Sequence, residues 1–275
     1  MEYTEMSNKD LLKIKTLGQL KAVGYSSKTI KEELRSNLIK KIKNKENVFE
    51  GVWGYEDTVI PDIERAILSK HNINLLGLRG QAKTRIARMM TMLLDNYVPV
   101  VEGAELNDDP LSPISTFAKD LIAEKGNDTP IYWWAKEVIH FGLVPRSNRS
   151  IFVINELPDL QARIQVALFN ILQEGDIQIR GFKLRLPLDL QFVFTANPED
   201  YTNRGSIVTP LKDRIESQII THYPKSIAIG RKITEQEAKI KDRPMSQIHV
   251  PELMKDLIEH WKGHPHHVCQ KLPFT

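Results

Sequence analysis

The stretch Asn74-Leu-Leu-Gly-Leu-Arg-Gly-Gln-Ala-Lys-Thr-Arg85 decides the fold, because it runs from an apolar segment through a glycine-containing loop into a helical pattern. Its spacing follows the phosphate-binding pattern G-x-x-x-x-G-K-[ST], with Gly77 first and Lys83-Thr84 last. Ala82 stands where the second glycine is usual, which is a mild change because alanine has the smallest side chain of a chiral residue. Gly77 and Gly80 are expected to allow positive φ and close backbone approach to an anion.

The chemistry of this loop predicts a nucleotide site that takes ATP and Mg²⁺. Backbone N–H groups from Gly80 to Thr84 can surround a β-phosphate, and the N-terminus of the next helix adds its dipole. Lys83 brings a positive charge to the β- and γ-phosphates, and Thr84 offers a hydroxyl to Mg²⁺. The predicted nucleotide-binding residues of the loop are Gly77, Arg79, Gly80, Gln81, Ala82, Lys83, Thr84 and Arg85.

A chance Gly-Lys-Thr turn is the alternative, and the surrounding sequence disfavours it. Before the loop, residues 73–76 contain three aliphatic side chains, as in a buried strand. After it, apolar residues recur at helical spacing. These are Ile86, Met89, Met90, Leu93 and Leu94. Farther along, residues 98–101 predict a second strand, and Phe117, Leu121 and Ile122 predict the apolar face of a helix behind it.

Composition narrows the class of protein. The 275 residues are 41% hydrophobic, enough for a sizeable core in one or two domains. A net charge of +3 gives no argument for a nucleic-acid partner, and the basic run from Lys40 to Lys45 reads as a solvated helix face more readily than as a phosphate-binding patch. The single cysteine, Cys269, fits a reducing compartment. Since neither a membrane-spanning run nor a signal-peptide pattern is seen, we expect a cytoplasmic protein without a membrane partner.

The segment before the loop prepares the nucleotide site. Residues 8–45 carry helical apolar spacing and predict a peripheral helical extension. A glycine-punctuated turn, Gly51-Val-Trp-Gly-Tyr55, comes next, and a helix is expected to open at Thr58. Val52 and Tyr55 are candidates for an adenine pocket, with simple core packing as the alternative.

The segment Ser150-Ile-Phe-Val-Ile-Asn-Glu156 has the pattern of a buried parallel strand that ends in polar residues. Open α/β sheets bind ligands at such carboxyl ends. Glu156 is the candidate base that orients and activates water. Asn155 stands where a Walker B motif has aspartate; its amide oxygen can still accept from Mg²⁺-bound waters, but without the charge we expect weaker metal binding and slower turnover.

Three later features complete the pattern. Residues 191–198 are predicted to form another buried strand. Asn197 near its end either hydrogen-bonds the attacking water or the γ-phosphate, or is a turn former before proline. Apolar and basic residues alternate around Gly181 in residues 177–186, which predicts a β-hairpin. Arg214 follows a short helix that opens at Thr209, and it is suited either to a phosphate or to surface pairing with neighbouring acids.

Other patterns leave alternatives open. The adjacent Trp133 and Trp134 indicate either a contact surface or partly buried side chains. Residues 234–237 have the spacing of a capping box and predict a helix start. The tail offers four possible zinc ligands, with an irregular tail as the alternative because the spacing matches no metal knuckle. These are His264, His266, His267 and Cys269.

Taken together, the loop at residues 77–84, the strand ending at Glu156, the basic hairpin, Thr195-Ala-Asn-Pro198 and Leu211-Lys-Asp-Arg214 resemble the AAA+ ATPases of the MoxR and magnesium chelatase subunit I group. The resemblance implies a three-layer αβα P-loop NTPase core with an inserted β-hairpin and a helical N-terminal extension. It also implies that the strand ending at Asn197 lies between the strands leading to Gly77 and Glu156.

The resemblance further implies roles and an assembly. Asn197 matches the sensor-1 residue. Arg214 matches the arginine finger that reaches the ATP of a neighbouring subunit, a contribution of about 10³–10⁵ in rate in well-studied nucleotide hydrolases. A homo-oligomeric ring, commonly a hexamer in this group, is therefore the expected active form, and a partner with a von Willebrand A-type domain is a candidate.

The resemblance also sets expected domain bounds. These are a helical extension at 1–47, the ATPase core at 48–225, the start of a truncated helical lid or linker at 226–262, and a tail at 263–275. Proteins of this group carry a longer insertion before the Walker B strand and a complete helical lid with a second sensor arginine. The chain is therefore expected to be a shortened version of a longer ATPase.

Three function hypotheses follow. The first is an ATPase that remodels or activates a partner protein, with magnesium insertion into a porphyrin as a special case that the sequence does not support on its own. The second is a nucleotide-dependent scaffold, or an inactive remnant, that binds ATP without efficient hydrolysis. The third, a transcriptional activator of the sigma-54 type, predicts a DNA-binding helix-turn-helix near the end of the chain, and none is visible there.

Overall fold

The computed structural model describes residues 8–135, 144–174, 176–178, 185–197, 207 and 209–238. In these residues the helices are α1 (Asn8–Leu11), α2 (Leu17–Ala22), α3 (Ile30–Lys43), α4 (Val59–Leu68), α5 (Lys83–Met89), α6 (Thr116–Lys125), α7 (Ala162–Glu174), α8 (Thr209–Lys212) and α9 (Ile227–Glu237). The strands are β1 (Ile73–Leu76), β2 (Tyr97–Val101), β3 (Ile131–Ala135), β4 (Ser150–Ile154), β5 (Asp176–Gln178), β6 (Arg185–Pro187), β7 (Leu190–Ala196) and β8 (Ser217–Ile220). Short 3₁₀ turns lie at Met90–Leu93, Gly126–Asp128, Val144–Ser147 and Leu157–Asp159.

A parallel sheet forms the centre of the fold. Its strand order is β4-β7-β1-β8, and each neighbouring pair runs parallel. In the middle strand, Leu75 lies opposite Thr195 of β7 and Ile219 of β8. The order confirms that the strand ending before Asn197 lies between the strands that lead to the phosphate loop and to Glu156. All three segments therefore leave the sheet at one edge, its carboxyl edge.

Helices cover both faces of this sheet and give the predicted three layers. Along β7, Val193 packs in one hydrophobic cluster, whereas Phe192 and Phe194 pack in another. This alternation follows from the period of two in a strand. Residues of α3, α4 and α5 complete the first cluster, and residues of α7 and α8 complete the second. With its phosphate loop between β1 and α5, this is a three-layer α/β P-loop NTPase fold.

The helices of the N-terminal segment are present, but α3 is not peripheral. Its Ile30, Leu34 and Leu38 recur at four-residue spacing, and all three are buried in the same cluster as the sheet. Thr29 caps the helix in a capping box, and the Ile30 N–H donates to the Asp189 carboxylate, 2.8 Å away, in the segment that leads into β7. Two contacts of different kinds therefore hold α3 against the sheet.

Strands β2 and β3 form a separate antiparallel pair, with Val100 opposite Tyr132. The sequence predicted β2 and missed β3. Trp133 in β3 is buried, and its indole N–H donates to the Ile14 carbonyl at 3.0 Å, whereas Trp134 is only partly exposed. Burial of the two tryptophans, one of the two alternatives, is therefore confirmed.

Helix α6 buries little of its surface against the rest of the fold. The sequence expected Phe117, Leu121 and Ile122 on its packed face, but Phe117 is 52% exposed and Ala118 is the fully buried residue. Its start is fixed by Ser115, whose hydroxyl accepts from the Ala118 N–H. The helix is therefore confirmed, while the prediction for Phe117 is wrong.

Both strands of the hairpin predicted around Gly181 are present. β5 and β6 pair antiparallel, with Ile177 opposite Leu186. The turn, residues 179–184, lies outside the described residues, as do residues 136–143, 239–262 and the tail with its candidate zinc ligands. Within the described part of the chain, no helix has the length and apolar character needed to cross a membrane.

Candidate nucleotide site

The phosphate loop leaves β1 at the carboxyl edge of the sheet and enters α5 at Lys83. Gly80 has φ of +78°, as expected for its glycine. Ala82 has φ of +56°, a left-handed conformation that strains an alanine by about 1–2 kcal/mol. The position is therefore one at which the glycine of the usual pattern serves backbone conformation, and the alanine here is a larger departure than its small size suggests.

Lys83 lies folded over the start of the loop. Its ammonium donates to the Leu78 carbonyl at 2.7 Å and also to the carbonyl of Gly77. Both acceptors belong to the loop that it is predicted to serve. A phosphate entering the loop would take over the charge of Lys83 from these two carbonyls, so the lysine is held within reach of the predicted ligand.

Gly77 is needed for close packing rather than for positive φ. A Cβ at this residue would lie 2.0 Å from the Thr221 hydroxyl oxygen and 2.1 Å from the Gln81 side-chain oxygen. Those two atoms are hydrogen-bonded to each other at 2.7 Å, and both residues are buried. The expected positive φ at Gly77 is therefore wrong, and the residue has a packing role instead, because the space beside its Cα is filled by protein.

Val52 and Tyr55 of the turn before α4 are both buried in the first hydrophobic cluster. The Tyr55 hydroxyl is 3.1 Å from the Gln81 carbonyl and 2.8 Å from the His222 carbonyl, and burial raises the pKa of this hydroxyl. Both residues therefore show the core packing that was the alternative to an adenine contact. The Tyr55 hydroxyl in addition supports the phosphate loop through the Gln81 carbonyl.

Helix α9 lies over the glycine turn at residues 51–55. Gln236 accepts from the Trp53 indole N–H at 2.7 Å and donates to the Gly51 carbonyl at 3.1 Å. The Lys232 ammonium is 3.2 Å from the centre of the Trp53 ring, a cation–π geometry. Glu237 pairs with Arg85 at 2.6 Å, so the end of α9 also touches the first turn of α5.

Asn155 and Glu156 follow β4 at the same edge. The Glu156 N–H donates to the Thr195 hydroxyl at 3.1 Å, and that hydroxyl donates to the Asn155 side-chain oxygen at 3.3 Å. Glu156 has φ of +52°, a strained conformation of the kind that clusters at functional sites. Thr195 therefore links the ends of β4 and β7 and fixes the positions from which both predicted side chains project.

Asn197 directly follows β7, between these segments. It is buried, and the preceding residue, Ala196, accepts from the Gly77 N–H at 3.1 Å. This bond joins the end of β7 to the start of the phosphate loop. Gly77, Glu156 and Asn197 are thus brought to one edge of three adjacent strands, in the order that the resemblance of the motifs implied.

Arg214 does not join them. It lies between α8 and β8, and the chain there enters the sheet at its amino edge, where the Ser217 N–H donates to the Asn72 carbonyl. The Arg214 Nε–H donates to the Gln173 side chain at 3.0 Å. Within one protomer, Arg214 therefore faces away from the phosphate loop of its own chain.

The structure adds support residues that sequence reasoning missed. Thr195 links the ends of β4 and β7, Thr221 binds Gln81 of the phosphate loop, Tyr223 donates to the Arg79 carbonyl at 3.1 Å, and Gln236 binds the glycine turn. A threonine at or just after the end of a strand is the signal for Thr195 and Thr221 in the sequence, and it is too common to single them out. Among the described residues, no group of three or more His, Cys, Asp or Glu is placed to hold a metal.

The known proteins that this chain is similar to are found among solved structures. No protein-family model matches the chain, and no curated protein matches it. Among solved structures, it is similar to NtrX from Brucella abortus in complex with ATP, with 15% identity, 76% of this chain and 49% of that chain covered, and a TM-score of 0.41. A putative ATPase from Cytophaga hutchinsonii is similar with 17% identity over 78% of this chain and 59% of that chain, at a TM-score of 0.45.

The closed-state reconstruction of Hsp104 with ATPγS and FITC casein is similar with 15% identity over 88% of this chain and 46% of that chain, at a TM-score of 0.47. This chain therefore spans less than two thirds of each of these proteins. All three TM-scores are below 0.5, so the strand order and the phosphate loop, rather than these likenesses, establish the P-loop NTPase fold.

Proposed function

We propose that this chain binds ATP in the phosphate loop and hydrolyses it at the carboxyl edge of the sheet. The observation that carries the proposal is the meeting of three predicted segments at that edge. The loop follows β1, Asn155 and Glu156 follow β4, and Asn197 follows β7, the strand between them. Phosphate contacts and a carboxylate on adjacent strands are the parts that nucleotide hydrolysis needs.

Each residue has a defined part in this proposal. Backbone N–H groups of the loop and the Lys83 ammonium bind the phosphates, while the Lys83 bonds to the Gly77 and Leu78 carbonyls are given up. Glu156 accepts a proton from the attacking water and orients it. Asn197, beside the loop, donates an amide hydrogen to the γ-phosphate or to that water.

The donors at this edge fit Mg²⁺, which takes oxygen ligands. Thr84 offers a hydroxyl, and Asn155 an amide oxygen that already accepts from Thr195 at 3.3 Å. Mg²⁺ neutralises charge on the phosphates when it is bound with ATP. The neutral Asn155 gives up one charge that an aspartate would supply, so we propose that Mg²⁺ is held mainly through Thr84 and the nucleotide.

We further propose that the chain acts as an AAA+ ATPase of MoxR or magnesium chelatase type, in a cytoplasmic ring that remodels or activates a partner protein. Arg214 supports this, because it faces away from its own loop and would complete the site of a neighbouring copy. A hexamer and a partner with a von Willebrand A-type domain belong to the same proposal, and both derive from the resemblance of the motifs alone.

Binding of a fluorescent ATP analogue tests the first step. We expect saturable Mg²⁺-dependent binding by the wild-type chain and its loss in Lys83→Ala. Lys119→Ala, which removes an exposed lysine of α6, is the matched control and should bind like wild type. Equal binding by all three proteins would refute the assignment of the loop.

One specific observation favours a second function, a scaffold that binds ATP without turning it over. The Asn155 side-chain oxygen is neutral and is hydrogen-bonded to Thr195, so this position supplies no negative charge for Mg²⁺. Hydrolysis assays with Glu156→Gln separate the two functions. Turnover that disappears in this variant supports the ATPase, whereas tight binding with no turnover in either protein supports the scaffold.

A further inference from the structure

The three residues after β8, Thr221 to Tyr223, are hydrogen-bonded to the phosphate loop. The Thr221 N–H donates to the Leu76 carbonyl at 2.7 Å, and its hydroxyl donates to the Gln81 side-chain oxygen at 2.7 Å. The same hydroxyl is 3.1 Å from the Leu76 carbonyl, which keeps its bond to the Thr221 N–H when the hydroxyl is removed. Tyr223 donates from its hydroxyl to the Arg79 carbonyl at 3.1 Å. This segment, Thr221–Tyr223, therefore contacts the loop at its start, at Arg79 and at Gln81.

We propose that Thr221 is a positioning residue for the phosphate loop, because its hydroxyl holds the Gln81 side chain beneath the loop and so fixes the backbone that binds ATP. The proposal rests on the proposed nucleotide site and names a residue that neither the motif nor the resemblance assigns. Thr221 does not touch the nucleotide in this account; it acts through Gln81.

Burial makes this hydrogen bond decisive for the conformation of Gln81. Thr221 is 3% exposed and Gln81 is 6% exposed, so neither can exchange its partner for bulk water without moving. A buried polar group that loses its partner is destabilised, and the flexible glutamine side chain is the one able to leave. Once it turns outward, Gln81 is held through its backbone carbonyl, 3.1 Å from the Tyr55 hydroxyl, and has lost the side-chain contact that Thr221 supplies.

Gly77 gives independent evidence that this arrangement is built into the loop. The space where its Cβ would lie is occupied by the Thr221 and Gln81 oxygens, at 2.0 and 2.1 Å. A loop that needed Gly77 only for backbone conformation would show positive φ there, and Gly77 is absent from the residues with positive φ. The first glycine of the motif thus makes room for the Thr221–Gln81 bond.

The neighbourhood also offers a matched control. Thr58 is a second threonine whose hydroxyl is hydrogen-bonded, 2.9 Å from the His222 ring. This bond joins Thr58 to His222, the residue next to Thr221, and not to a residue of the phosphate loop. Removing the Thr58 hydroxyl therefore tests whether any lost hydrogen bond in this region weakens nucleotide binding.

The experiment compares Thr221→Val, Thr221→Ser and Thr58→Val in the full chain. The readouts are the Kd for a fluorescent ATP analogue with Mg²⁺, the melting temperature without nucleotide, and the increase in melting temperature that ATP produces. We expect Thr221→Val to weaken binding about tenfold, the effect of losing one buried hydrogen bond. Thr221→Ser keeps the hydroxyl and should restore binding to within about threefold of wild type, like Thr58→Val.

A double-mutant cycle keeps the test valid if Thr221→Val folds poorly. Gln81→Leu removes the acceptor from the other side, and the double variant with Thr221→Val should bind no more weakly than Gln81→Leu alone, since both changes remove the same bond. Additive losses would overturn the proposal.

The outcomes separate this inference from the proposed function. If wild type binds ATP and Thr221→Val binds equally well while melting at a lower temperature, Thr221 has a structural role only and the inference is overturned by itself. If wild type does not bind ATP, the proposed function fails, and the inference fails with it.

Discussion

Replacing Gly77 with alanine is the change for which the structure makes its sharpest prediction. The new Cβ would lie 2.0 Å from the Thr221 hydroxyl oxygen and 2.1 Å from the Gln81 side-chain oxygen, so it cannot be added without breaking the bond between them. The Thr221 hydroxyl can still turn to the Leu76 carbonyl, 3.1 Å away, so the Gln81 oxygen is the buried partner left unsatisfied, which is destabilising by about 1–3 kcal/mol. We therefore expect Gly77→Ala to lower the free energy of unfolding by about 2 kcal/mol and the melting temperature by about 4–8 °C.

Thermal unfolding followed by circular dichroism measures this effect, with Gly80→Ala as the matched control. At Gly80 an added Cβ would meet no heavy atom within 4 Å, so only the strain of its φ of +78° remains. That strain is worth about 1 kcal/mol, or about 2–4 °C. In a Thr221→Ala background, Gly77→Ala should be less destabilising because the nearest clashing atom is gone. Equal losses at Gly77 and Gly80, or no rescue by Thr221→Ala, would refute the packing role of Gly77.

Three further predictions follow from local features. Ala82→Gly relieves about 1–2 kcal/mol of backbone strain and should leave the melting temperature unchanged or higher, whereas Ala123→Gly on exposed α6 should be destabilising by about 1 kcal/mol; a fall at both positions would contradict the strain. Burial raises the pKa of Tyr25 from 10.0 to about 12, so the stability that Tyr25 contributes should be constant below about pH 10 and be lost as the pH rises towards 12. Denaturant titrations at each pH should show a smaller fall for Tyr25→Phe than for wild type, where burial also raises the pKa of Tyr55 and Tyr132; an equal fall in both proteins would contradict the role of Tyr25. Asn155→Asp restores a charge beside the proposed Mg²⁺ site and should raise steady-state hydrolysis about tenfold, equal to about 1.4 kcal/mol of barrier; an unchanged rate would exclude Asn155 from metal binding.

Much of the fold could be predicted because its main elements carry local signals. The apolar runs of β1, β4 and β7 are continuous in sequence; the first leads into the glycine-containing phosphate loop, and the other two end in polar residues where the site lies. Their order in the sheet is a non-local property. Only the resemblance of the motifs supplied it, and the structure confirms it.

The sequence missed strand β3 and misplaced the start of helix α9, for two different physical reasons. β3 is short and pairs with a strand about thirty residues earlier, so its partner is not visible locally, although Ile131 and Trp133 alternate in burial with their neighbours. The capping-box pattern at Thr234 predicted a helix start, but Ser226 caps α9 and Thr234 lies in its last turn. Spacing alone does not distinguish two possible starts when both have capping residues.

The bond between Thr221 and Gln81 could not be predicted from the sequence, for a different reason. Thr221 and Gln81 are 140 positions apart, and their bond exists because β8 lies beside β1 in the sheet. The role of Gly77 follows from that bond. Such a role depends on which side chains fill a space, and the motif pattern records only that the residue is small.

ATP hydrolysis per protomer across a protein concentration series, with molar mass followed by light scattering, tests the proposed ring ATPase most directly. We expect activity that rises as rings form and is absent from Lys83→Ala and from Arg214→Ala alone. Mixing these two variants should restore activity, because an intact loop in one copy can meet an intact Arg214 in the next. A chain that stays monomeric and hydrolyses ATP at a constant rate per protomer, or a mixture that stays inactive beside an active wild type, would contradict it.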